Sequence, residues 1–363
     1  MARLGDYVKI KTGKLDANAA NSNGQYPFFT CSVEPLRIDT YSYDCECVLV
    51  AGNGDLNVKY YNGKFDAYQR TYIIESENKD VLSVPYLYCF LDKYVEELRK
   101  QSIGGVIKYI KLGNLTEAQI PMRSIAEQNE IVTNLNKVNT LISLRKQQLS
   151  KLDELVKSRF IEMFGDPIAN QFGWDTTNIG AIVTEVRYGT SRPAVENGKY
   201  PYLRMNNLTF DGHLDLKDLK RIDIPDEEIE KCIVRKGDVL FNRTNSVELV
   251  GKTCVFDLDE EMVIAGYIIR VRLGQKMIPT VFSAFMNSQP TKEQLRGMAK
   301  GAVNQANINA QELQSIRIYL PSIDLQKQFA SFVEQTDKLK FEIQKSLEKL
   351  ETLKKSLMQK YFG

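Results

Sequence analysis

The chain has a single histidine, a single tryptophan, no apolar run of about 18 residues and almost no net charge. Each shortage excludes something. The lone His213, in the turn-like string FDGHLD, argues against a Ser–His–Asp triad, a histidine-ligated zinc ion and histidine-based acid catalysis. Without a long apolar run no transmembrane helix is expected. The first residues, MARLGDYVKI, lack the apolar core of a signal peptide, so the expected location is the cytoplasm. With 48 Lys and Arg against 46 Asp and Glu, net charge does not announce a nucleic-acid binder, and any basic surface has to be local.

The six cysteines (Cys31, Cys45, Cys47, Cys89, Cys232, Cys254) are scattered, and only Cys45 and Cys47 lie close. With no second pair at zinc-finger spacing they read as reduced structural thiols, and no metal is expected. The string GKT at 251–253 resembles the tail of a phosphate-binding loop, but the glycine required five residues earlier is Ser246. Gly52-Asn53-Gly54 lacks a following G-x-x-G and reads as a turn; PDEEIEK (225–231) reads as a solvated helical turn begun by proline. No two prolines are adjacent, which excludes the Asp/Asn-Pro-Pro-Tyr motif of amino-methyltransferases. The chain reads as non-catalytic and as needing no cofactor of its own.

What is present is a duplication. At 363 residues, more than one core is expected. SIAEQNEIV (124–132) is echoed by SIDLQKQFA (322–330). At that fixed spacing Gln128 falls on Gln326, Leu149 on Leu347, Leu152 on Leu350 and Phe164-Gly165 on Phe362-Gly363, without a gap. Upstream, NGQYPF (23–28) mirrors NGKYPY (197–202), and Leu4-Gly5 mirrors Ile179-Gly180. The expected division is 1–119, 120–165, 166–317 and 318–363: domain, helix, domain, helix.

In the first helical segment apolar residues recur at Ile131, Leu135, Val138, Ile142, Leu149, Leu152, Val156 and Met163, widened by Leu141, Leu144 and Leu155. The second gives Phe329, Val333, Thr336, Ile343, Leu347, Leu350, Leu357 and Tyr361, beside Leu339 and Leu353. Steps of three and four specify a coiled-coil seam, on helices of about 40 residues, roughly 60 Å each. Gly165-Asp166-Pro167 is a stop signal, and Ser124 with Glu127 fits a capping box. The domains predict strands at 48–51, 71–75, 239–242, 253–256 and 267–272, and helices at 85–101 and from 279 to 287 or beyond. The fold class is α+β: two pseudo-repeated α/β domains joined by two long antiparallel coiled-coil helices.

The loops carry hydrogen-bond donors. In the second domain these are Tyr188, Thr190, Ser191 and Arg192; Arg204, Asn206 and Asn207; and Asn242, Arg243, Thr244, Asn245 and Ser246. In the first they are Lys11, Thr12 and Lys14; Lys59, Tyr61 and Lys64; and Gln69 and Arg70. Arg, Asn and Gln make bidentate bonds to base edges, while Lys, Ser and Thr hold phosphates. Asn, Ser, Thr and Gly are equally what loops are made of.

This organisation resembles the specificity subunits of type I restriction–modification systems over the whole chain. The resemblance rests on KGDVLF (236–241), GAVNQANI (301–308), the two helix openings and the FGDP that ends the first helix (164–167). It implies two target-recognition domains, each reading half of a bipartite site in double-stranded DNA, held apart by the two helices. It further implies two methyltransferase subunits that methylate adenine with S-adenosylmethionine, restriction subunits for cleavage, and no catalytic residue in this chain. Candidates for partner docking or spacer packing are then Gln128, Ile131, Leu135, Leu149 and Leu152, and Gln326, Phe329, Val333, Leu347 and Leu350. Two departures stand out. The first domain lacks the Phe172-Gly173-Trp174 lead-in of the second, and its counterpart of KGDVL is degraded to DCECVL (44–49), which puts the folding of that edge in question. A catalytic methyltransferase with an attached recognition domain, and a coiled-coil DNA-binding adaptor of another phage-defence system, are the rival readings.

Overall fold

The computed structural model describes residues 1–299 and 306–363, so residues 301–305 of the string GAVNQANI lie outside the described residues. Two compact units emerge, 1–146 with 345–363, and 147–344. Stretches of both long helices, Ile125–Phe164 and Ile323–Phe362, belong to each.

In the first unit six strands form one sheet in the order Val8–Thr12, Thr71–Ser76, Tyr43–Ala51, Val58–Ala67, Tyr26–Phe29 and Leu36–Ile38. Only the pairing of Tyr26–Phe29 with Val58–Ala67 is parallel. The domain is closed by Ala2–Arg3 pairing with Gln119–Ile120. Helix Val84–Gln101 starts where Ser83 caps the Tyr86 amide and Pro85 fills the first turn, and its apolar face packs Leu87, Leu91 and Leu98 into the core.

In the second unit the same order is split into two four-stranded sheets. One joins Val183–Tyr188, Ile268–Leu273, Val239–Asn242 and Thr253–Val255; the other joins Lys220–Ile222, Tyr200–Leu203, Met262–Ile264 and Ile233–Val234. The cause is local. Where the first domain runs unbroken from Tyr43 to Ala51, the second inserts the Lys236-Gly237-Asp238 turn, with Gly237 at a φ of 93° and Asp238 accepting from the Arg235 amide. The degraded motif of the first domain is therefore a continuous strand. Helix Pro279–Asn287 is followed at once by Gln289–Met298, restarted by a Ser288 cap and Pro290.

Both long helices begin as their sequences predict and are then pinned. Ser124 and Glu127 exchange capping bonds. Buried Gln128 accepts from the Ser83 amide and donates to the Val81 and Arg123 carbonyls. Buried Gln326 repeats this with the Ile278 amide and the Lys276 and Pro321 carbonyls. In the first unit Ile131 and Leu135 share a core with Met358 and Phe362, while Lys146 meets Glu351 at 3.4 Å, so the helices run in opposite directions there. In the second unit Phe160 and Phe164 pack edge-on against Phe329, and Asp153 meets Lys340 at 2.5 Å, again antiparallel. Leu141, Leu144, Leu155, Leu339 and Leu353 are 45–51% exposed and lie outside the packed stripe. At the last turn Met358 and Phe362 point inward, with Leu357 and Tyr361 only half-buried. The first long helix stops at Gly165, with a φ of 80°, where the Trp174 indole donates to the Phe164 carbonyl.

Candidate nucleic-acid interface

The site grows from a backbone frame that both domains share. Gly189 donates to the Ile268 carbonyl at 3.1 Å, and Gly13 to the Thr71 carbonyl at 3.0 Å. A Cβ on Gly189 would lie 2.2 Å from the Ile264 oxygen and one on Gly13 2.1 Å from the Ala67 oxygen, so only glycine lets the chain cross here. Arg243 donates its amide to the Tyr267 carbonyl at 2.9 Å, as Gly52 does to that of Arg70 at 2.8 Å. Ile308 closes the frame on the Arg243 carbonyl, as Ile110 does on that of Gly52, both at 2.9 Å. Arg243 thus occupies the place of Gly52, and Tyr267 that of Arg70.

In the second domain this frame borders a cleft of about 570 Å³ lined by Thr190, Ser191, Arg192, Arg204, Asn206 and Arg243, together with Met205 and Tyr267. Six predicted residues from three separate loops are therefore brought together. Arg192 forks onto Glu228 at 2.6 and 3.0 Å, and Arg204 meets Asp218 at 2.8 Å. Arg243 has no carboxylate partner among the described residues; its guanidinium lies 4.9 Å from the centre of the Tyr188 ring. The Tyr188 hydroxyl accepts from the Ala310 amide, which holds that ring in place. Exposed ion pairs of the Arg192 kind contribute only about 0–1 kcal/mol, so a phosphate can compete for the arginine. The cleft offers three guanidinium groups, a hydroxyl pair and an amide: donors for phosphates and base edges, with no nucleophile–base pair.

Three predicted contacts are corrected by burial. Asn207 is 2% exposed, accepting from the Arg204 amide and donating to the Asp215 carbonyl, and so builds the loop rather than facing outward. Asn242 lies inside the strand ladder, and buried Thr244 donates to Asn307. Asn245 and Ser246 follow outside the cleft, Asn245 accepting from the Ser246 amide. Lys252 of the GKT string is buried, donating to the Met205 and Leu208 carbonyls; it props the loop under the cleft and binds no phosphate there.

The first domain's candidates divide. Lys14, Gln69 and Arg70 share the corner around Gly52, where Gln69 donates to the Leu15 carbonyl. Half-buried Lys59, bonded to Asn57, joins that corner because Asn57 donates to the Cys31 carbonyl and the Cys31 thiol reaches the Arg70 carbonyl. Lys11 is paired with Glu75 at 2.9 Å, and the Thr12 carbonyl accepts from Tyr43. Lys64 lies over the Tyr41 ring, and Tyr61 packs on Phe29 and Phe65 along the hairpin.

Of the docking candidates, Gln128, Ile131, Leu135, Gln326 and Phe329 are buried within their own units, because the apolar stripe faces the other helix and the adjoining domain, and Leu347 is 5% exposed. Leu149, Leu152, Val333 and Leu350 are half-buried. Tyr267, 51% exposed, was not anticipated, since it opens an apolar strand; aligning the repeats would have placed it opposite Arg70, itself a candidate.

The family of the type I restriction modification DNA specificity domain matches residues 1–154 and 174–355. The EcoDI specificity subunit of Escherichia coli is 38% identical over 42% of this chain and 34% of its own length. The MjaX specificity subunit of Methanocaldococcus jannaschii, described as putative, is 30% identical over 52% of this chain. The chain spans 34% and 45% of the lengths of these two relatives. At 22% identity, the MjaVIII specificity subunit of the same organism matches 99% of this chain and 90% of its own length. A crystal structure of a type I restriction–modification S subunit from M. genitalium superposes with a TM-score of 0.61 at 16% identity, covering 100% of this chain and 95% of that one. That likeness speaks for the fold. With two matches that together cover most of its length and follow its internal duplication, the chain belongs to the family of type I restriction modification DNA specificity domains.

Proposed function

We propose that this chain is the non-catalytic specificity subunit of a cytoplasmic type I restriction–modification complex, reading a bipartite duplex target with one half-site per domain. Two methyltransferase subunits, which would bring S-adenosylmethionine, dock on the scaffold and methylate adenine, and restriction subunits join for cleavage. The two helices act as an antiparallel coiled-coil spacer, with domains at 1–119 and 166–317 and spacers at 120–165 and 318–363. The observation that carries this reading is the shared frame: two domains present the same backbone corner, and in the second it opens into a donor-rich cleft around Arg243. A pseudo-twofold protein suits a two-part site.

The test is genome-wide mapping of methylated adenines with and without the gene. One bipartite motif should vanish with it, and exchanging residues 1–119 for another such domain should alter one half of that motif only. Changes in both halves would overturn the division of labour.

A further inference from the structure

We propose that Val106 and Ile107 form an apolar wedge that inserts into the base stack of duplex DNA beside the first domain, an inference that rests on the DNA-binding reading above. After helix Val84–Gln101 the chain turns back in a narrow loop, closed by mutual bonds between Ile103 and Tyr109 at 3.0 and 2.9 Å. Gly104 makes the turn, with a φ of 115° and the Ile107 oxygen 2.5 Å from where a Cβ would stand. At the tip Val106 is fully exposed and Ile107 is 63% exposed. Single exposed apolar residues are ordinary, but two adjacent β-branched ones on a closed, anchored loop serve no core.

The anchor fixes where the tip stands. Ile110 donates to the Gly52 carbonyl, and Gly54 donates to the Lys108 carbonyl, both at 2.9 Å. Gly52 holds the place that Arg243 holds in the second domain, and its amide binds the Arg70 carbonyl. The tip therefore rises beside the corner of Lys14, Gln69 and Arg70, with exposed Lys108 and Lys111 at its own base. Cations around an apolar point divide the work of a DNA wedge: the cations hold phosphates, and the β-branched side chains lever a base step open. The corresponding stretch of the second domain lies outside the described residues.

The experiment uses the full chain and a random pool of duplexes, from which wild-type protein selects its preferred sequence. The selected duplex is then made with 2-aminopurine at successive positions of the half-site assigned to residues 1–119. Wild-type protein should raise the fluorescence at one step. The Val106→Ser/Ile107→Ser double variant, whose unfolding midpoint should match wild type because the tip packs on no core, should lose that rise and bind at least tenfold more weakly. Its log affinity against log salt should keep the wild-type slope, whereas Lys108→Ala should reduce that slope by about one. Wild-type affinity in the double variant, or no fluorescence rise in wild type, overturns the wedge while leaving sequence-specific binding intact. A double variant that binds DNA normally but no longer co-purifies with a methyltransferase subunit makes the tip a protein contact and also overturns it. Failure of wild-type protein to enrich any sequence overturns the DNA reading and the wedge with it.

Discussion

Arg243 and Lys292 show at the residue scale how differently two cations in one domain can be used. Arg243 is oriented by the Tyr188 ring and has no competing carboxylate among the described residues, whereas Arg192 must first leave Glu228. Replacing Arg243 by Ala is expected to weaken specific DNA binding by about 1–3 kcal/mol, roughly five- to 150-fold, with unchanged stability. Arg192→Ala should cost less, and competition binding with matched duplexes ranks the two; a larger loss at Arg192 would refute this ordering. Lys292, 3% exposed, instead donates to the Gly251 carbonyl inside the domain. Burial, reinforced by nearby Arg296 and Lys252, pushes its ammonium down to about 7. An unfolded lysine titrates near 10.4, so below pH 7 the cost of burying the charge is fully present. Between about pH 7 and 10 the folded chain binds fewer protons than the unfolded one, and stability rises with pH. Lys292→Met should remove that rise and gain on the order of a few kcal/mol at pH 7. Denaturant midpoints of both proteins near pH 7 and pH 9.5 decide it, equal pH slopes being the contrary result.

At the scale of elements, the paired glutamines explain why one helix opening occurs twice. Gln128 and Gln326 each satisfy one amide and two carbonyls where a domain helix and a long helix begin together. Gln128→Ala orphans the Ser83 amide and the Val81 and Arg123 carbonyls, so a loss of about 2–4 kcal/mol is expected, with a similar loss for Gln326→Ala. Chemical unfolding measures both, and a loss below about 1 kcal/mol would show that water replaces the bonds. Such pins were legible as a repeat but not as pins, because two of each glutamine's three partners lie 45 to 50 residues away in sequence. The helices themselves were legible nearly to the residue, since their period, capping box and Gly165 stop are local signals. The cleft was not: Thr190, Arg204 and Arg243 meet only through strand pairing, and composition could not tell buried Asn207 and Asn242 from exposed Asn206. The widening leucines misled for a related reason. Hydrophobic character marks a stripe, but which edge of it faces a neighbour is set by packing, and Leu141, Leu144 and Leu155 were left outside.

On the whole-molecule scale the proposed function makes helix length a ruler. Each long helix has 40 residues, and in both units the start of one packs against the end of the other. An insertion must therefore be made in both helices at facing positions, or the apolar stripe loses its partner and the protein is destabilised instead of lengthened. Four residues add about 6 Å of rise and about 400° of rotation, which returns the flanking domains to within roughly 40° of their original orientation. Since duplex DNA advances about 3.4 Å per base pair, the non-specific gap between half-sites should grow by about two base pairs while both half-site sequences stay the same. Sequencing of methylated sites in cells carrying the doubly lengthened chain reads the gap directly. An unchanged gap, with a chain that still supports methylation of both half-sites, would show that DNA bending or a partner subunit sets the spacing. A single-helix insertion is the control: it should lower the unfolding midpoint and abolish methylation, because only one side of the antiparallel pair has shifted.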